Sequence, residues 1–160
     1  MAKQSAGILM YRRKGNAMEF LLVHPGGPFW ANKDQGAWSI PKGEYEAGEE
    51  PLAAAKREFG EELGSAPPAR PYLDLGSIKQ QSRKVITTYA VEGDFDPATL
   101  ASNRFELEWP PKSGRKQTFP EVDRAEWFAL QNARAKIQPG QVCFIDRLVE
   151  ILGDGRRAKR

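Results

Sequence analysis

Glu58, Glu61 and Glu62 stand at i, i+3 and i+4 in the run "AAAKREFGEELG". On a helix that spacing projects three carboxylates from one face, while Phe59 and Leu63 point toward a core. Like charges on neighbouring turns repel and weaken a helix. Hard divalent cations such as Mg²⁺ or Mn²⁺ take oxygen ligands, and a bound cation would offset that repulsion. The alternative is a solvated acidic face that binds nothing. The wider stretch from Gly43 to Gly64 sharpens the question, because it packs seven glutamates into 22 residues of a chain whose formal net charge is +3.

The element that carries these acids has clear local signals. Proline at a first-turn position, the alanines after it and acidic residues just upstream favour a helix from Pro51 to Leu63, with Gly64 as its stop. Leu52, Ala55, Phe59 and Leu63 fall on one face of it. Upstream, Ala6–Tyr11 and Phe20–His24 are apolar runs of strand formers around a Gly-Asn turn, which predicts a hairpin. "PGGPFWANKDQG" reads as loop and "AWSIP" as a brief strand ending near Pro41. Downstream, "YLDLGSIKQ", "VITTYAVEG" and "RAEWFAL" read as strands. The proline-rich, charged segment from Ser102 to Pro120 reads as a surface excursion over the sheet. "QVCFIDRLVEIL" is an amphipathic closing helix with Val142, Ile145, Leu148, Val149 and Leu152 inward. This mixture predicts an α/β sandwich with a mixed sheet.

With 160 residues and 40% hydrophobic content, the chain suits a single domain over residues 1–155 followed by a basic tail, residues 156–160. The tail "RRAKR" supplies four positive charges and leaves about −1 for the rest, so no basic face points to nucleic acid. One cysteine, Cys143, excludes an internal disulfide and a multi-cysteine zinc site, and its apolar surroundings suit a structural thiol. The apolar run near the N-terminus is too short for a signal-peptide core or a membrane span, so a cytoplasmic protein with no membrane partner is the expectation.

Gly43, five residues, Glu49, seven residues, Arg57-Glu58-Phe59, one residue, Glu61-Glu62, one residue, Gly64: this series resembles the Nudix box, G-x5-E-x7-R-E-U-x-E-E-x-G-U, with U a bulky apolar residue. Only the last position departs from it, where Ser65 replaces the usual aliphatic residue at the helix exit. The resemblance implies a Nudix-type α/β/α sandwich with a mixed β-sheet and a loop-helix-loop catalytic motif. It also implies a hydrolase that cleaves a nucleoside diphosphate linked to another moiety. Phosphoanhydride hydrolysis needs cations to neutralise phosphate oxygens and activate water, and an all-carboxylate cluster suits them.

By the same resemblance, Glu58, Glu61 and Glu62 match catalytic metal-ligand positions, with the Gly43 carbonyl as a further ligand and Mg²⁺ or Mn²⁺ as the cation. Arg57 and Glu49 match a structural ion pair that orients the loop on the helix. Glu121, six residues before Trp127, resembles the loop glutamate of the family's diadenosine tetraphosphate hydrolases, which would complete the site as general base or extra ligand; Glu106 and Glu108 compete with it. Lys42, next to the box, is placed to meet a phosphate, and Arg83 beside Lys84 to reach a distal one. Phe29, Trp30, Tyr89 and Trp109 are candidates for stacking on a base, against a packing role for each. His24, the only histidine, suits a hydrogen-bonded structural role.

The leading function is a divalent-metal-dependent pyrophosphohydrolase of nucleoside or dinucleoside polyphosphates, whose partner is a small nucleotide. The alternatives are a diphosphoinositol phosphate substrate, an RNA 5′ end as the one nucleic-acid partner, or a nucleotide-sensing module without turnover.

Overall fold

The computed structural model describes residues 3–158. Strand β1 (Gln4–Lys14) and strand β2 (Ala17–Pro25) form the expected antiparallel hairpin, with Tyr11 opposite Phe20. Both strands bury side chains on both faces: Ile8 and Met10 alternate with Leu9 and Tyr11, and Leu21 and Val23 with Phe20 and Leu22. A strand apolar on both sides belongs at the centre of a layered fold. Helix α1 (Pro51–Leu63) covers one face through Ala54, Ala55, Phe59 and Leu63. Helices α2 (Leu130–Lys136) and α3 (Val142–Ala158) lie on the other, where Phe144, Ile145 and Leu148 join the core. The result is an α/β/α sandwich.

The main sheet runs β4 (Leu73–Lys79), β5 (Val85–Glu92), β1, β2, β8 (Val122–Ala129), and β1 pairs in parallel with β5, so the sheet is mixed. β1 forks along its other edge. Its last residues pair with β2, while Gln4–Gly7 pair with the short strand β3 (Lys42–Tyr45). The fork is the structural origin of the site described below.

Two expectations are corrected. "AWSIP" is not a strand: Ser39 bridges Val23 and Trp38 bridges Ile137, each as an isolated contact, because the segment crosses the fork and does not run along it. The strand lies just beyond, in Lys-Gly-Glu-Tyr, whose polar sequence hides it. The Ser102–Pro120 excursion is more ordered than a loop, since Arg104–Glu108 (β6) and Lys116–Pro120 (β7) form their own two-stranded sheet. α3 extends through Ala158, and the tail residues Lys159 and Arg160 lie outside the described residues.

Candidate hydrolytic site

α1 ends where Gly64 adopts a left-handed φ of 83° and donates its N–H to the Gly60 carbonyl. A Cβ there would lie 2.6 Å from the Ala101 carbonyl, so the incoming chain closes tightly on the helix end. That chain is tied down by backbone hydrogen bonds. Ala101 N–H donates to the Leu63 carbonyl at 3.2 Å and Asn103 N–H to the Glu61 carbonyl at 2.9 Å. The Asn103 carbonyl then accepts the Glu121 N–H at 2.7 Å. Asn103 therefore fixes Glu121 in register with the acidic end of α1, an arrangement that no sequence signal announced. Ser65 is exposed, and the backbone contacts at residues 101 and 103 secure the helix exit without a side chain from that position.

On the opposite side α1 packs against β3. A side chain on Gly43 would overlap the Glu58 carboxylate, so only glycine lets that carboxylate lie against the β3 backbone. Arg57 forks onto Glu49 with bonds of 3.0 and 3.1 Å, and its remaining donor reaches Glu58 at 2.5 Å and Glu61 at 3.0 Å. Its guanidinium is held protonated above the usual arginine range, chiefly by the bond to Glu49. One cation thus binds the loop glutamate to the helix and neutralises part of the acidic face.

Glu62 looks into a cavity of about 220 Å³ lined by Lys42, Glu121, Trp30, Ser39, Ile40, Val23 and neighbours. Burial pushes its carboxyl up to about 8; Lys42 opposes the shift, and Glu121 and Glu58 add to it. Glu58 is raised by burial as well, against the pull of Arg57. Glu121, at the rim, is raised by partial desolvation and by Glu61. Burial, with Lys84 close by, lowers the Lys42 ammonium, while Glu62, Glu44 and Glu58 hold it up. The carboxylates are therefore under strain of charge and desolvation that a cation would relieve.

An oxygen-only donor set under such repulsion fits a hard divalent ion. Among the described residues no three acidic side chains are gathered closely enough to form a finished cage, and Arg57 takes up donor capacity on Glu58 and Glu61. An ion held here would have to draw these carboxylates together against that guanidinium.

The other candidates are distributed unevenly. Trp30 lines the cavity directly. Phe29, 60% exposed, makes an edge-to-face pair with Trp109 of the β6–β7 connection at 5.3 Å, and the Phe105 ring packs on Gly27. Of these aromatic side chains only Trp30 lines the cavity; Phe29, beside it in the chain on the loop that follows β2, pairs with Trp109 on the hairpin. Tyr89 lies elsewhere, on β5 opposite Asp74, packed with the α1-side core near Tyr45 and Glu50. Arg83 occupies the turn between β4 and β5 with φ 72°, and neither residue lines the cavity. Glu106 is on the outer hairpin 3.8 Å from Lys116, and Glu108 accepts the Lys112 and Gly114 N–H groups that close the hairpin tip. His24 is fully buried and hydrogen-bonded at both ring nitrogens.

The sandwich is shared with solved structures. The chain aligns with a mutT/nudix family protein from Listeria innocua (TM-score 0.65, 12% identity, 98% of this chain and 97% of that one). It aligns also with the NUDIX domain of Shewanella oneidensis NrtR complexed with ADP ribose (0.64, 15%, 95% and 89%). A third is the C. elegans Ap4A hydrolase (0.57, 19%, 95% and 99%). At these identities the likeness is one of fold, and no curated protein matches in sequence. The model of the NUDIX domain matches residues 1–148, nearly the whole chain. The chain belongs to the NUDIX domain family, and with it to the hydrolases that act on pyrophosphate-containing compounds.

Proposed function

We propose that the protein is a divalent-metal-dependent pyrophosphohydrolase that cleaves the phosphoanhydride of a nucleoside or dinucleoside polyphosphate by attack of water. The observation that carries this reading is the cavity in which Glu62, Glu121 and Lys42 meet beside Trp30. Mg²⁺ or Mn²⁺, held by Glu58, Glu61, Glu62 and the Gly43 carbonyl, would neutralise phosphate charge and lower the pKa of the attacking water.

The chain's own residues divide the remaining work. Glu121 accepts the proton of the attacking water, a role that suits a carboxyl whose proton affinity is raised by desolvation and by Glu61. Lys42 meets a phosphate oxygen as a point charge, and its partial burial strengthens that attraction. Arg57, through Glu49, keeps the box loop on the helix and sets where Glu58 points. Trp30 offers a flat face to the group that leaves with the phosphates, and Phe29 with Trp109 extends it. Stacking without hydrogen-bond readout tolerates different bases.

Trp30 in the lining favours a nucleotide over a diphosphoinositol phosphate, because an inositol site needs clustered cations and Lys42 is the only one lining this cavity among the described residues. The deciding experiment is a hydrolysis panel with Mg²⁺ and with Mn²⁺. It covers nucleoside triphosphates, dinucleoside polyphosphates, triphosphorylated RNA and diphosphoinositol phosphates, with products resolved by chromatography. Metal-dependent turnover of the nucleotides supports the proposal. Preference for RNA or inositol substrates would replace the substrate class, and tight nucleotide binding without turnover would make the domain a sensor.

A further inference from the structure

We infer that His24 is a positioning residue that sets the separation between the two walls of the cavity; this rests on the function proposed above. The ring is fully buried in β2, with Nδ1 2.7 Å from Asp123 Oδ1 and Nε2 2.7 Å from the Lys33 carbonyl oxygen. Asp123 follows Glu121 by two residues, and Lys33 follows Trp30 by three. The Lys33 N–H donates to the Trp30 carbonyl at 3.0 Å and the Lys33 ammonium lies 5.5 Å from the Trp30 ring, so the position of Lys33 determines that of Trp30. One buried ring therefore links the Trp30 wall to the Glu121 wall.

Both partners are acceptors. The two bonds are complete only when each ring nitrogen carries a proton, or when Asp123 brings one to Nδ1 while Nε2–H serves Lys33. A ring with a single proton between two bare acceptors would leave a buried nitrogen facing an oxygen with nothing between them, a costly arrangement. Asp123 is the charged group in direct contact. Trp38 presents its ring at 5.2 Å, Arg124 lies over Trp38 at 5.0 Å, and Asp34 takes the Trp38 indole N–H at 2.8 Å while pairing with Lys136.

The two contacts can be severed separately. In His24→Gln the amide nitrogen reaches the Nε2 position and keeps Lys33 while losing Asp123. In His24→Asn it reaches the Nδ1 position and keeps Asp123 while losing Lys33. The expected result on the substrate found by the panel is a split of about tenfold each: His24→Gln lowers kcat at unchanged KM, and His24→Asn raises KM at nearly unchanged kcat. Asp123→Ala, at an exposed position, reproduces the His24→Gln effect and decides the matter if the histidine variants do not fold. Identical effects in the Gln and Asn variants, or kcat unchanged in Asp123→Ala, overturn the inference.

Because the chain has a single histidine, ¹⁵N spectra of the ring report this residue alone. A proton on Nε2 is expected, and a bare Nε2 facing the Lys33 carbonyl overturns the inference. This spectrum needs no substrate, so it separates failure of the clasp from failure of the proposed hydrolysis.

Discussion

The Glu58 carboxylate rests against the backbone of Gly43, in space that any side chain at position 43 would fill. Two parts of one motif separated by fourteen residues are thereby fitted to each other. Gly43→Ala is expected to displace Glu58, cut turnover at least about a hundredfold and weaken metal binding, since a misplaced charged group loses most of its effect on the transition state. Circular dichroism should show the fold kept. Titration with Mn²⁺ checks the cause, and unaltered affinity would disprove this fit as the basis of the site.

Arg57 offers a contrast between stability and function. Its side chain is 42% exposed, so the pair with Glu49 should contribute no more than about 1 kcal/mol to folding. Arg57→Lys removes the forked bond, and turnover should fall about tenfold, because the lysine cannot hold Glu49 and Glu58 in one geometry. Thermal unfolding and kcat measured on the same preparation test whether the two losses separate.

Glu62 should make the metal-free protein sensitive to alkali. Its folded value of about 8 lies above the ordinary 4.5, so the folded state holds the proton more tightly than the unfolded chain. The stability linked to that proton is full below pH 4.5 and is lost as pH rises through about 8. The Tm of the metal-free protein is expected to fall across that window, and Glu62→Gln should flatten the curve. Parallel curves for the two proteins would show that Glu62 is not the titrating group.

The three downstream glutamates should separate cleanly. Glu121→Gln is expected to lower kcat about a hundredfold and remove the acidic limb of its pH profile. Glu106→Gln should leave kcat unchanged, because that residue stands on the outer hairpin beside Lys116. Glu108→Gln should loosen only the hairpin tip, seen as faster amide exchange at Lys112 and Gly114. Equal kcat in all three would leave the base unassigned.

Local chemistry made part of this architecture readable. Pro51 and Gly64 mark the ends of α1, and the Gly-Asn turn with its flanking apolar runs marks the β1–β2 hairpin. β3 escaped notice because Lys-Gly-Glu-Tyr carries no apolar alternation; the edge of β1 makes it a strand. α2 is seven residues long, too short for its periodicity to stand out. The spacing of the box names the acids on the helix. It cannot say that Trp30 and Glu121 face the same cavity, since that depends on backbone bonds at Asn103 and Gly26 between segments far apart in sequence. His24 was readable as hydrogen-bonded, but its partners lie 9 and 99 residues away.

Among the described residues, the β6–β7 ribbon exchanges no ladder bonds with the main sheet. It meets the loop after β2 through the Phe105 side chain on Gly27 and Trp109 on Phe29, and through the Pro120 backbone, which lies close against Gly26. The ribbon is thus held apart from the acids on α1. Under the proposed function, and provided Asn103 and Glu121 keep their backbone bonds, exchanging the sequence between Arg104 and Phe119 is expected to alter which leaving groups are accepted while the acids on α1 stay in place.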